Sequence, residues 1–69
     1  MQRVSVVSSN IVSIGYEIAT STLEIEFKDG RLYQYFDVPE HVHDGLMGAA
    51  SHSEYFSAYI KGAYRYARL

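Results

Sequence analysis

Few folds other than a β-hairpin suit the stretch Leu23-Glu24-Ile25-Glu26-Phe27-Lys28-Asp29-Gly30-Arg31-Leu32-Tyr33-Gln34-Tyr35-Phe36. Leu23, Ile25 and Phe27 alternate with Glu24, Glu26 and Lys28, the period-two pattern of a half-buried strand. Asp29-Gly30 then turns the chain, because Gly30 can take a positive φ without steric cost. Two registers compete. A two-residue Asp29-Gly30 loop would pair Phe27 with Leu32 and put Tyr33 and Tyr35 beside Glu24 and Glu26. A three-residue Lys28-Asp29-Gly30 loop, with Gly30 as the left-handed bulge residue, pairs Ile25 with Tyr33 and Leu23 with Tyr35. A slip of one residue moves the whole second strand to the opposite face. The three-residue loop is the expectation, since it sets both tyrosines on aliphatic partners. It leaves Leu32 and Phe36 outward beside the glutamates.

The rest of the chain reads as cover for this hairpin. Val12, Ile14 and Tyr16 alternate with Ser13, Gly15 and Glu17, a first strand over Ile11 to Glu17. Short connections then give an antiparallel meander with the 22–28 strand in the centre. Ahead of it, Val4-Ser5-Val6-Val7 fits either a short edge strand or a segment laid over the sheet. Asp37 reads as a helix cap with Pro39 in the first turn and Glu40 reaching back. Val38, Val42 and Leu46 then share a helix face, and the helix ends near Ala49 or Ala50. Ser51-His52-Ser53-Glu54 repeats the capping pattern, and Tyr55, Phe56, Tyr59 and Ile60 follow at amphipathic spacing up to a Lys61-Gly62 stop. The expected fold is α+β: a three-stranded antiparallel β-meander followed by two short α-helices packed on one face. Its core comprises Val12, Ile14, Tyr16, Leu23, Ile25, Phe27, Tyr33, Tyr35, Val38, Val42, Leu46, Tyr55, Phe56 and Ile60.

Size and composition narrow the function classes. Sixty-nine residues make one small domain with little room for a deep pocket, and without cysteine there is no disulfide framework or thiolate metal site. The N-terminus has no long apolar run, so a cytoplasmic protein without membrane attachment is expected. The net charge of −2 gives no overall bias toward nucleic acid. Every acidic residue precedes residue 61, however, whereas Lys61, Arg65 and Arg68 cluster at the C-terminus.

No catalytic, cofactor or metal constellation stands out, and an enzyme is not expected. His41 and His43 lie two apart on a helix, point away from each other and cannot readily share an ion with Asp37 or Asp44. They read as solvent-facing, and His52 as a first-turn residue. Glu24 and Glu26 form a solvated face without a pocket to desolvate them. Capping or turn roles account for Ser8, Ser9 and Ser51. Tyr33 and Tyr35 read as core residues with phenols at the rim; a base-stacking platform is the other reading. The tail interleaves rings with cations: Tyr59, Lys61, Tyr64, Arg65, Tyr66 and Arg68 follow the pattern of a single-strand nucleic-acid contact. An ordinary solvated terminus competes with it. Outward Ile11, Leu32 and Phe36, with two open strand edges, point instead to a protein partner or a homo-oligomer.

Tyr33-Gln34-Tyr35 with Val38-Pro39, Ser13-Ile14-Gly15-Tyr16 and the Leu23–Phe27 alternation before them, and Ser51-x-x-x-Tyr55-Phe56-x-x-x-Ile60 after, resembles the KTSC domain. That family is built around a central Tyr-x-Tyr motif. The resemblance spans roughly residues 8 to 61, so residues 1–69 are taken as a single KTSC-like domain with a core of 8–61 and a C-terminal tail of 62–69. Tyr33, Tyr35, Pro39, Tyr55 and Phe56 are the family-motif positions and are expected to be structural. Members occur as single-domain bacterial or phage proteins and as a C-terminal extension of some lysyl-tRNA synthetases. The resemblance therefore implies a non-catalytic binding module, with RNA or tRNA as partner, and carries over no catalytic residues.

Overall fold

The computed structural model describes residues 1–69. Its hairpin reverses through Lys28-Asp29-Gly30: the Phe27 N–H donates to Arg31 O at 2.9 Å, the Gly30 N–H donates to Phe27 O, and Gly30 has φ +90°. Leu23 pairs with Tyr35, Ile25 with Tyr33 and Glu26 with Leu32, the register of the three-residue loop. Both tyrosines thus share a face with Leu23 and Ile25.

The sheet has five antiparallel strands rather than three, in the order β1 (Arg3–Ser5), β2 (Ile11–Glu17), β3 (Thr22–Phe27), β4 (Leu32–Tyr35) and β5 (Tyr66–Arg68). Two three-residue strands cover the edges that a meander alone would leave open. Short edge strands of this kind offer little backbone for further pairing. The tail of residues 62–69 is therefore an element of the fold: Tyr33 pairs with Arg68, Gln34 with Ala67 and Tyr35 with Tyr66.

A second correction concerns phase in β2. The register shifts between Ile11 and Ser13, a β-bulge. The extra residue lets Ile11 face inward along with Ile14, so Ile11 is fully buried and Val12 only half-buried. Ile11 is thus unavailable to a partner, and Leu32 and Phe36 are themselves half-buried. The expected core otherwise contains every buried apolar residue.

Helices α1 (Glu40–Gly48) and α2 (His52–Tyr59) pack on the tyrosine face of the sheet, where Val42, Leu46 and Phe56 join the core. Pro39, in extended geometry, caps α1 without a side-chain bond. Asp37 does not cap it. That residue sits in the left-handed region (φ 57°), which aspartate tolerates better than most, and its carboxylate pairs with Arg65. At α2 the Ser51 cap forms as expected, its hydroxyl accepting from the Glu54 N–H at 3.2 Å. His52 Nδ1 lies 2.8 Å from Leu46 O and ties the two helices together. Neither helix is long and apolar enough to cross a membrane.

The helices meet through Gly45, where a Cβ would run into the Tyr55 phenol. Gly48 has nothing within 4 Å of its Cβ position. Gly45→Ala is therefore expected to lower the unfolding free energy by about 1–3 kcal/mol through overpacking. Gly48→Ala should stay level or gain up to about 1 kcal/mol of helix propensity. Urea titration followed by circular dichroism compares the two; equal effects would remove the Gly45–Tyr55 contact as the cause.

Candidate functional site

Alternation along β4 sends Tyr33 and Tyr35 to the helix side, and the pairing of β5 adds Tyr66 and Arg68 to the same face. The rings form one cluster. Tyr66 lies 5.6 Å from Tyr33 and 5.8 Å from Tyr35 between centroids. Phe56 of α2 meets Tyr35 edge-on at 5.5 Å and Phe27 at 5.5 Å, while Phe27 meets Tyr33 at 5.8 Å and 89°. Such edge-to-face pairs contribute about 0.5–1.5 kcal/mol each beyond their burial. After α2 the chain swings back at Gly62 (φ +79°) to begin its approach to β5. Between that turn, α2 and the hairpin lies a groove of about 440 Å³. Its floor is Phe27, Tyr33, Tyr35 and Phe56, and its rim carries Arg31, Lys61, Asn10 and Tyr66.

Tyr35 is the buried ring of the set, 5% exposed, and Tyr66 the open one, 60% exposed. Burial pushes the Tyr35 phenol up to about 12, with the neighbouring Tyr33 and Tyr66 adding to the shift. It therefore stays a hydrogen-bond donor at any physiological pH. By contrast, the Tyr16 hydroxyl is satisfied within the fold, donating to Val38 O.

The sheet separates the charges. On the side away from the helices, Arg3 pairs with Glu24 at 3.3 Å, Gln34 donates to Glu24 and Ser13 donates to Glu26. At the groove, Arg31 pairs with Asp29, and its guanidinium holds that exposed carboxyl below the usual carboxylate range. Arg65 pairs with Asp37 at 2.8 Å. Lys28, Lys61 and Arg68 have no carboxylate within ion-pairing distance. Lys61 lines the groove, and Arg68 stands beside it, opposite Tyr33.

The tail residues divide accordingly. Lys61 and Tyr66 line the groove, and Arg68 pairs across the sheet with Tyr33 of its floor. Tyr59 packs against Tyr55 at 4.7 Å with the rings tilted by 46°, on the helix face turned toward α1. Tyr64 is half-buried against the core. Arg65 lies over the Phe36 ring at 5.7 Å, in a separate shallow depression formed with residues 62–66. Of the motif residues, Tyr33, Tyr35 and Phe56 make the floor, Pro39 caps α1 and Tyr55 packs on it. Sequence reasoning missed Arg31 and the groove role of Phe27. The signal for Arg31 was present, since it precedes Tyr33 and Tyr35 at the same two-residue spacing. His43 is also not simply solvent-facing: its ring stacks on Tyr16 at 4.8 Å, and His41 alone is exposed. No three His, Asp or Glu side chains come together as a metal site.

Comparison with known proteins gives a consistent result. The model of the KTSC domain matches residues 7–64. A crystal structure of a KTSC domain protein from Yersinia pestis superposes with a TM-score of 0.94 at 42% identity, covering 99% of this chain and 96% of that one. An uncharacterized protein of Stutzerimonas stutzeri is 40% identical over the whole chain and 99% of its own length. A lysine–tRNA ligase of Nostoc sp. is 43% identical over 88% of this chain, which spans 11% of that ligase.

The raised Tyr35 phenol has a consequence for stability. Its folded-state value, about 12, lies above the ordinary 10.0, so its contribution is intact below pH about 10 and is lost as pH rises toward about 12. Tyr35→Phe is expected to flatten that part of the alkaline stability profile, measured by denaturation at fixed pH values. An unchanged profile would mean that the phenol is not desolvated.

Proposed function

Because this chain belongs to the KTSC domain family, we propose that it is a non-catalytic binding module making an accessory RNA contact, such as one to tRNA, through the groove between α2 and β4–β5. The observation that carries this reading is the coincidence of an aromatic floor with cations that the fold leaves unpaired. Lys61 and Arg68 have no carboxylate partner, and Arg31 stands at the same rim. Tyrosine faces accept bases by stacking, and unpaired cations accept phosphates. The carboxylates of Glu24 and Glu26 lie on the opposite sheet face, where they keep a polyanion off that side and do not oppose it at the groove. The likeness to part of the lysine–tRNA ligases supports tRNA as the partner class, since there the module is joined to an enzyme named for acting on tRNA. Self-association through Ile11, Leu32 and Phe36 has less behind it, because Ile11 is buried and both meander edges are already paired.

Two or three phosphate contacts make a weak, salt-sensitive interaction. Titration of labelled tRNA at low salt should show binding that fades at moderate salt. In the Lys61→Ala/Arg68→Ala double variant the salt slope should fall by about 1.4, at roughly 0.7 per single-strand phosphate contact. Arg65→Ala, which loses its pair with Asp37 and its place over the Phe36 ring, should bind within about twofold of the parent. Absence of binding at low salt, or binding indifferent to the double variant, would overturn the proposal.

A further inference from the structure

The geometry points to the form of nucleic acid that the groove takes: we propose that it receives an unstacked base of a single strand, laid on Tyr66 and Tyr33, with a polar edge accepting from the Tyr35 hydroxyl. This rests on the nucleic-acid reading above and adds to it the choice of single strand over duplex.

Tyr35 carries the argument. The residue is only 5% exposed, yet its hydroxyl makes no hydrogen bond within the protein, whereas no side-chain polar atom fully closed off from solvent lacks a partner. The hydroxyl therefore opens into the groove that Tyr35 lines, and only a group entering that groove can reach it. A base stacked and paired within a helix cannot enter; an extruded or single-stranded one can. Duplex RNA is read from its outside, by shape and through its phosphates and 2′-hydroxyls, and has no use for a recessed donor among ring faces. The groove volume of about 440 Å³ lies toward the lower end of the roughly 300–1,000 Å³ of small-ligand pockets. That is a cavity for a single inserted moiety.

Tyr66 supplies the exposed ring face. It stands 60% exposed, tilted by 33° to Tyr33 and 36° to Tyr35, so the three rings form an open step. Lys61 on the α2 side and Arg68 on the β5 side then bracket the backbone of the entering strand. This charge favours a nucleotide over an uncharged aromatic group such as a protein side chain. The Tyr35 phenol keeps its proton throughout the physiological range, so it can donate to an acceptor on the base, a ring nitrogen or a carbonyl oxygen.

The test compares a labelled short RNA single strand with the same strand annealed to its complement, by anisotropy at low salt, for the parent, Tyr35→Phe and Tyr66→Ala. The parent should bind the single strand at least about tenfold more tightly than the duplex. Loss of one stacked base in Tyr66→Ala should weaken single-strand binding by roughly 5- to 150-fold. Loss of one hydrogen bond in Tyr35→Phe should weaken it by roughly 2- to 12-fold. Tyr35→Phe conserves the ring, so it remains decisive should Tyr66→Ala fail to fold. Equal binding of both forms, unmoved by Tyr35→Phe but weakened by Lys61→Ala/Arg68→Ala, overturns base insertion and leaves the RNA contact standing. Failure of the parent to bind either form overturns both.

Discussion

A reversal of three residues at Gly30, rather than two, decides which side of the sheet carries Tyr33 and Tyr35, and the remaining architecture follows from that register. With both rings on the helix side, Phe56 has edges to meet and α2 has a place to dock. The far edge of β4 can then take up β5, because Tyr66 arrives beside two rings already aligned by their strand. The same register confines Glu24 and Glu26 to the other face. One turn therefore puts Glu24 and Glu26, engaged by Arg3, Gln34 and Ser13, on one face and the tyrosine rings on the other.

The hairpin was legible because strict alternation and Asp-Gly turn chemistry agree with each other, and the Ser51 cap because its spacing to Glu54 is local. The misses share a cause, in that each depends on contacts far away in the chain. Residues 66–68 carry an ordinary Tyr-Ala-Arg sequence, and only the exposed edge of β4 makes them a strand. For the N-terminal segment, an edge strand was one of two open readings, and the pairing of Arg3–Ser5 with residues 13–15 decides for it. The bulge that turns Ile11 inward follows from how β2 fits β3, and the alternation of β2 alone favoured Val12. Asp37 looked like a cap from sequence, but Arg65, 28 residues on, claims its carboxylate.

For the candidate site, the sequence offered two readings of the tyrosines, buried core or stacking platform. The structure divides them among rings. Tyr35 is core by burial, while Tyr66 is exposed and lies tilted beside it. A groove assembled from strand side chains and one helix needs no dedicated loop, which suits a chain with so little core to spare. It also couples recognition to folding: the rings that would contact a base are the ones that hold β5 to β4. Of the tail cations, Arg65 is drawn to Asp37, and Lys61 and Arg68 have no carboxylate within ion-pairing distance.

Amide hydrogen exchange tests that coupling most directly. The Phe36 N–H donates to Arg65 O at 2.9 Å and the Leu69 N–H to Leu32 O at 2.8 Å, so both report on whether β5 is docked. Both amides should be protected in the parent, and Tyr66→Ala should release them while the Ile25 amide, in the central strand, keeps its protection. Free exchange of Phe36 and Leu69 in the parent would mean that β5 does not close the sheet, and the groove as described would not exist.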